Sequence, residues 1–136
     1  QLFERVFKED AGQLSASFRV NYFQYKNDIE NYSKAAVHYF SKYPSDNATE
    51  LNNTAWAFYE SVDDKSMLHE ALKWAIKSVE LDSQYYNNDT LAAIYYKLGK
   101  KGKAKKAAKE AINIAKSNGE DYSATSELLE KIKGKK

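Results

Sequence analysis

The sequence has no cysteine, a single proline, five glycines and only two arginines, Arg5 and Arg19, in its 136 residues. The absence of cysteine excludes thiol chemistry and disulfide bonds within this chain. So few prolines and glycines supply little of the turn chemistry that a many-stranded β-fold requires. Nucleic-acid readers favour arginine for bidentate contacts with bases, so its scarcity argues against a specific nucleic-acid partner.

Long apolar runs and secretory signals are also missing. No run approaches the roughly 18 residues of a membrane span, so we expect no membrane-spanning segment. Because the chain begins with Gln1 rather than Met, we expect it to be a piece of a longer protein.

Lysine is concentrated in the segment 97–111, which holds seven lysines and one glutamate. The formal net charge of the whole chain is only +2, so the remainder is slightly acidic. The segment has no aromatic residue among its lysines, although a single-strand binder would need aromatic rings for base stacking. The glycine spacing before Lys103 does not match a phosphate-binding loop, and Ala104 follows where a hydroxyl is required. We interpret the lysines as a solvated helix face, with an anionic partner as the alternative.

No constellation typical of catalysis or metal binding is present. His38 and His69 are the only two histidines. His69 and Glu70 could open a zinc-binding helix motif, but Lys73 occupies the position of its second histidine. No serine stands in a nucleophile-elbow motif, and no paired carboxylates form a recognisable pattern. We therefore predict no catalytic residues, no metal site and no cofactor in this chain, and expect that it is not an enzyme.

Apolar residues recur at the spacing of one helix face along the whole chain. The clearest run starts at Ala104, with apolar residues at offsets of 3, 4, 7, 8 and 11. This period predicts an all-α domain of roughly seven helices. The packing positions predicted for the other helices are Leu14, Phe18, Tyr22 and Tyr25; Tyr32, Ala35, Ala36, Tyr39, Phe40 and Tyr43; Ala55, Phe58, Tyr59 and Val62; Leu68, Ala71, Leu72, Ala75, Ile76 and Val79; Leu91, Ile94, Tyr95 and Leu98; and Thr125, Leu128, Leu129 and Ile132.

The predicted helices fall into three antiparallel pairs followed by a capping helix. A single helix pair cannot bury its apolar face, so successive pairs must stack. We therefore predict one domain over 1–136. Its parts are an N-terminal helical extension over 1–12, a degenerate helix pair over 13–46, two further pairs over 48–84 and 85–118, and the capping helix over 121–133.

These helix pairs resemble the tetratricopeptide repeat, a helix pair of about 34 residues. The resemblance is clearest over 85–118. There, Leu91 and Ala92 stand at the family's Leu-Gly, Tyr95 at its first-helix tyrosine, and Ala104 at a small position of the second helix. The segment ALKWAIKSVELDS is similar to the family's closing run. The resemblance implies an α-solenoid in which the first helices of successive repeats line a concave groove.

In this family, partner segments usually bind in that groove, so the resemblance implies a protein or peptide partner. Exposed tyrosine and asparagine suit peptide capture, because they combine contact area with adaptable hydrogen bonds. Since Tyr86 and Thr90 lie off the predicted packing stripe, we expect both to be exposed. The alternative for Tyr25 and Tyr86 is that these tyrosines belong to the core. Position by position, the resemblance places in the groove Asn21, Gln24 and Tyr25; Asn53, Thr54, Ala57 and Glu60; and Tyr86, Asp89, Thr90, Ala93, Tyr96 and Lys97.

The resemblance does not extend to the subclass that grips a terminal carboxylate. That subclass uses lysine, asparagine and arginine at set groove positions. In this chain the corresponding residues are Ala57, Thr90 and Ala93.

Two longer strings, DTLAAIYYKLGKKGKA and GEDYSATSELLEKI, resemble the helical region that follows a thioredoxin-like domain in some bacterial envelope proteins. This second resemblance implies redox cysteines upstream of the chain, and helices that hold a partner, a substrate or a second copy in a homodimer. Two functions therefore stay open. One is a protein–protein interaction or scaffolding module. The other is the regulatory or dimerisation region of a larger thioredoxin-like thiol-disulfide oxidoreductase, which implies the bacterial periplasm or envelope rather than the cytoplasm.

Overall fold

The computed structural model describes the backbone of residues 2–134 and the side chains of residues 11–134. Seven α-helices and no strand occur in this range, which confirms the all-α class predicted from the apolar period. The predicted extension over 1–12 is continuous with the first helix from residue 2 onward. The helices are α1 (Leu2–Tyr25), α2 (Ile29–Lys42), α3 (Ala48–Ser61), α4 (Lys65–Leu81), α5 (Tyr85–Lys97), α6 (Lys101–Asn118) and α7 (Ser123–Ile132).

Local side-chain chemistry fixes where several helices begin and end. Before α2, α3 and α4, side-chain oxygens of Asp28, Asn47 and Asp64 accept hydrogen bonds from backbone N–H groups of the first turn, at 2.8 to 3.2 Å. These bonds satisfy donors that have no partner inside the helix. At the C-terminal end of α6, Gly119 has a φ of +70°, a left-handed conformation that glycine adopts without steric cost.

The chain forms two compact units, Gln1–Ser45 and Asp46–Lys136. In the first unit, α1 packs against α2. Burial in this unit raises the pKa of the Tyr32 hydroxyl to about 12. Among the described side chains of the first unit, the buried apolar residues are Ala16 from α1 and Tyr32, Ala35, Ala36 and Phe40 from α2.

The packing stripe predicted for α1 is wrong. Its four side chains are exposed, by 73% at Leu14, 69% at Phe18, 47% at Tyr22 and 85% at Tyr25. Among the α1 side chains that the structure describes, the buried apolar residue is instead Ala16, because small residues let two helices approach closely. Gly12 of α1 also approaches the C-terminal end of α2 closely. A Cβ atom added at Gly12 would lie only 3.0 Å from the Tyr43 hydroxyl.

In the second unit, each helix packs against its neighbours in sequence, α3 also contacts α5, and α7 contacts α5 as well as α6. Phe58 of α3 meets Trp74 of α4 edge to face, with ring centroids 4.9 Å apart. Small side chains along α6 allow its close approach to α5 and α7. All the packing positions predicted for α6 are buried: Ala104, Ala107, Ala108, Ala111, Ile112 and Ala115.

A buried amide joins α4 to α5. The Asn87 side chain is fully buried, and its Nδ2 donates to the backbone carbonyl of Ser78 at 3.2 Å and that of Asp82 at 2.7 Å. Its Oδ1 accepts from the backbone N–H of Gln84 at 2.9 Å. The Ser78 hydroxyl accepts from the same amide and donates to the Ala48 carbonyl at 2.7 Å. This network fixes the start of α5 against α4 and the start of α3.

Candidate binding groove

A groove of about 390 Å³ lies between α3 and α5 in the second unit. Its residues follow helical spacing, so each helix presents one face to the groove. The volume lies near the lower end of the range of small-ligand sites. The lining residues are Asn52, Asn53, Trp56, Ala57 and Glu60 from α3, and Tyr85, Tyr86, Asp89 and Thr90 from α5.

Several residues that the family resemblance places in a groove line this one. Asn53, Glu60 and Tyr86 are exposed, and Asp89 is half-buried. The structure thus brings together side chains from two segments about thirty residues apart. Their exposed polar and aromatic groups are available for contact with another molecule.

The expectation that Thr90 is exposed is wrong. Its side chain is only 3% exposed, and its hydroxyl donates to the Tyr86 carbonyl one turn earlier, at 3.0 Å. The reason is that α5 packs against α3 as well as against α4 and α6, so more of its circumference is covered than a single stripe predicts. Thr90 therefore forms part of the base of the groove rather than a projecting contact.

Lys97 lies at the end of α5 and has a structural role. Its Nζ donates to the backbone carbonyl of Tyr59 at 2.6 Å and that of Val62 at 2.8 Å, and lies 3.4 Å from Oδ1 of Asp63. The last carbonyls of a helix lack partners within it, and the helix dipole favours a cation there. Lys97 thus ties the end of α5 to the end of α3 and does not line the groove.

The remaining predicted residues also lie outside this groove. Tyr96 is half-buried and packs against the cluster where α5, α6 and α7 meet. The Thr54 hydroxyl donates to the Glu50 carbonyl of its own helix at 3.0 Å. In the first unit, exposed positions of α1 hold Asn21, Gln24 and Tyr25.

Three groove residues were missed by the sequence analysis: Asn52, Trp56 and Tyr85. Trp56 lies three residues after Asn53 and four before Glu60, so the helical spacing of those two residues could have identified it. Asn52 is only 7% exposed, and its Oδ1 has no hydrogen-bond donor among the described residues. No sequence pattern indicates that this oxygen lacks a donor, because the presence of a donor depends on which groups the fold places nearby.

A hydrogen-bond relay links the groove to α7. The Thr125 hydroxyl lies 2.5 Å from Oδ1 of Asp89 and 2.8 Å from the Tyr85 hydroxyl. A hydroxyl has one proton, so Thr125 donates to the carboxylate and accepts from the tyrosine. Burial raises the pKa of Asp89, and the hydrogen bond from Thr125 partly opposes that rise. Asp89 is therefore held in one position by a residue on another helix.

The lysines of the segment 97–111 do not form one uniform exposed face. Lys103 and Lys106 line a second groove of about 420 Å³ together with Tyr95 and Glu110, and the Lys103 ammonium lies 5.9 Å from the centroid of the Tyr95 ring. The solvated helix face stays the prediction for these lysines, and an anionic partner stays its alternative. The other exposed lysines of the segment are Lys100, Lys101, Lys105 and Lys109.

Within the described range, no group of three or more His, Asp or Glu residues is placed to hold a metal ion. None of the helices described here is both long and apolar enough to cross a bilayer. No protein-family model matches the chain, and neither a curated protein nor a solved structure is significantly similar to it. The tetratricopeptide and thioredoxin-associated resemblances therefore stay predictions that rest on the residues themselves.

Proposed function

We propose that this chain is a protein–protein interaction module, without an activity of its own, that holds a segment of a partner protein in the groove between α3 and α5. The groove itself carries the proposal. It leaves an aromatic ring at Tyr86 and polar groups at Asn53 and Glu60 exposed on two packed helices. Rigid aromatic and adaptable polar side chains are the usual means of gripping a peptide.

The architecture that we propose for this module is a tetratricopeptide-like solenoid of three helix pairs with a capping helix. Contacts of α3 with α4 and of α5 with α6 support two successive pairs, and the contact of α3 with α5 supports their stacking through first helices. At the other end, Ile132 of α7 is buried in a cluster with Ala92 and Ala108. A terminal helix that covers such a cluster is what a solenoid end requires. The pair of α1 and α2 is the degenerate repeat of this proposal.

The test is selection of binders from a random-peptide display library with the full chain immobilised. Affinity of the selected peptides is then measured for two variants that retain wild-type helical circular dichroism. The groove variant combines Asn53→Arg with Tyr86→Ala, both at exposed positions, and leaves the buried Thr90 unchanged. We expect the groove variant to bind at least tenfold more weakly, a loss of about 1.4 kcal/mol.

The matched control carries Lys105→Glu, Lys106→Glu and Lys109→Glu on the exposed side of α6. It should bind the selected peptides as the wild type does. If the selected peptides bind the groove variant normally but no longer bind the lysine variant, the binding surface lies on α6 and the proposal is refuted.

A further inference from the structure

The groove between α3 and α5 is an acidic site on a chain whose overall charge is slightly positive. Glu60 and Asp89 line it, and none of the lysines or arginines that the structure describes does. Neither carboxylate has an ion-pair partner among the described residues. Since the formal net charge of the chain is +2, this concentration of unpaired negative charge is local to the groove. It favours a cation at this place and repels an anion.

A buried acceptor in the same groove lacks its donor. Oδ1 of Asn52 is buried, and within the described part of the chain no N–H or O–H group bonds to it. With the described residues, the Asn52 amide makes one long contact, of 3.4 Å, from its Nδ2 to Oδ1 of Asn53. A buried carbonyl oxygen without a donor costs about 1 to 3 kcal/mol, so such groups are rare in folded proteins. The partial negative charge of this oxygen is not offset by a donor among the residues described, so it adds to the negative potential that Glu60 and Asp89 create in the groove.

Aromatic surface stands beside these acceptors. Trp56 is half-buried and Tyr86 is exposed, and both line the groove. Tryptophan is the side chain whose ring face attracts cations most strongly, and tyrosine follows it. The rings also offer apolar area to the carbon stem of a long charged side chain.

We propose that the groove recognises a lysine or arginine side chain within the partner segment. This inference rests on the proposed function, because it names the chemistry of the segment that the groove holds. The cationic head would lie beside Glu60 and Asp89, where the buried carbonyl oxygen of Asn52 adds to their negative potential. The stem of the side chain would pack on Trp56 and Tyr86.

The state of Asp89 agrees with this assignment. Its carboxylate is half-buried and accepts a hydrogen bond from Thr125 through Oδ1. Burial disfavours its ionised form and raises its pKa. A cation that enters the groove favours the ionised form. The free energy gained from the cation is larger for this partly buried carboxylate than it would be for a fully hydrated carboxylate. A neutral segment would leave both carboxylates without an ion-pair partner.

The experiment is a titration of the full chain with three synthetic peptides of equal length, followed by amide and indole N–H spectra. One peptide has lysine and arginine at alternate positions between alanines. The second has glutamine and citrulline at those positions, and the third has glutamate. We expect saturable shifts only with the cationic peptide, centred on α3 and α5 and including the Trp56 indole N–H. Raising the salt concentration should weaken this binding.

Matched variants separate the two carboxylates from overall charge. Glu60→Gln with Asp89→Asn removes the acidic pair, and Glu80→Gln with Glu127→Gln makes the same change in net charge at exposed positions outside the groove. The first variant should bind the cationic peptide at least tenfold more weakly, and the second within twofold of wild type. Glu60→Gln alone, at an exposed position, repeats the test without altering the bond to Thr125.

The outcomes distinguish this inference from the proposed function. If the neutral peptide binds in the groove as well as the cationic one, the cation is not what is recognised and the inference fails while the groove function stands. Equal weakening in both double variants would indicate general attraction and also overturn the inference. If the display library yields no peptide that shifts α3, α5 or the Trp56 indole, the proposed function fails and the inference fails with it.

Discussion

At the residue scale, Asn87 is the side chain on which the junction of α4 with α5 depends. It is fully buried and bonds to backbone groups of Ser78, Asp82 and Gln84. Asn87→Ala removes the partner of the Asp82 carbonyl and of the Gln84 N–H, whereas the Ser78 carbonyl keeps its bond from the backbone N–H of Asp82. Each polar group left without a partner at this junction costs about 1 to 3 kcal/mol. We therefore expect the free energy of unfolding in urea to fall by roughly 2 to 4 kcal/mol.

The matched control for this substitution is Asn113→Ala, at an exposed position of α6. It should leave stability unchanged or slightly higher, because alanine favours the helix more than asparagine does. Equal stability of the two variants would contradict the role given to Asn87.

Asp89 predicts a pH-dependent effect. Its folded-state pKa is raised by burial, so the unfolded chain ionises it more readily than the folded one. The stability that this group contributes is fully present below its unfolded pKa of about 3.9 and is lost as pH rises through the folded pKa. Asp89→Asn keeps an acceptor for Thr125 and cannot ionise. The variant should therefore gain stability over wild type between pH 3 and pH 7, as measured by thermal unfolding. A difference that is constant or reversed with pH would contradict the raised pKa.

At the scale of elements, the close contact of α6 with its neighbours predicts intolerance to bulk. Ala108 is completely buried where α5, α6 and α7 meet. Extra methylenes in a packed core cost about 1 to 3 kcal/mol, and an indole adds far more volume than that. Ala108→Trp should therefore unfold at a markedly lower temperature or fail to fold. Lys105→Trp, on the exposed side of the same helix, should melt near the wild-type temperature.

Unlike the buried face of α6, the exposed face of α1 in the first unit should tolerate substitution. Phe18 is 69% exposed, so Phe18→Gln should change the free energy of unfolding by no more than about 0.5 kcal/mol. Phe40 of α2 is 8% exposed, and Phe40→Ala should cost about 3 to 5 kcal/mol. A large loss in the Phe18 variant would restore Phe18 to the packing role that the apolar spacing predicted.

At the scale of the whole molecule, the boundary between the two compact units predicts where the chain can be cut. A fragment of residues 46–136 retains α3 to α7 with their shared core, so it should give a helical circular dichroism spectrum and unfold cooperatively. A fragment of residues 85–136 loses α3 and α4, which cover α5, and leaves Asn87 without its bonds to Ser78 and Asp82. It should be largely unfolded. Equal cooperativity in both fragments would refute a core shared by these helices.

How much of the fold could be predicted depends on how each helix is covered. The α6 stripe was predicted correctly because lysines fill the rest of that helix, so only one face can be buried. The α5 prediction was incomplete, since this helix packs against four others and buries Ala93 and Thr90 in addition to Ile94. The packing stripe predicted for α1 is wrong because the spacing of apolar residues defines one face of a helix but does not determine which face a neighbouring helix covers.

The candidate site divides in the same way. The resemblance to the tetratricopeptide repeat, carried over position by position, was sufficient to propose Asn53, Glu60 and Tyr86 as surface groups on first helices. The spacing could not reveal that Lys97 would bond to two carbonyls of α3, because its partners are more than thirty residues away. The same holds for the bond between Thr125 and Asp89, which links residues 36 apart.

By itself the sequence determined the all-α class, the positions of the helices and the absence of thiol chemistry in this chain, because these depend on composition and on a local period. Only the tertiary structure decided which helix faces are covered and which polar groups have hydrogen-bond partners. It also decided that Glu60 and Asp89, which have no ion-pair partner among the described residues, line the same groove as Asn52, whose Oδ1 lacks a donor there. The physical reason is that burial and hydrogen bonding depend on neighbours distant in sequence, and their free energies are set by packing rather than by the order of residues.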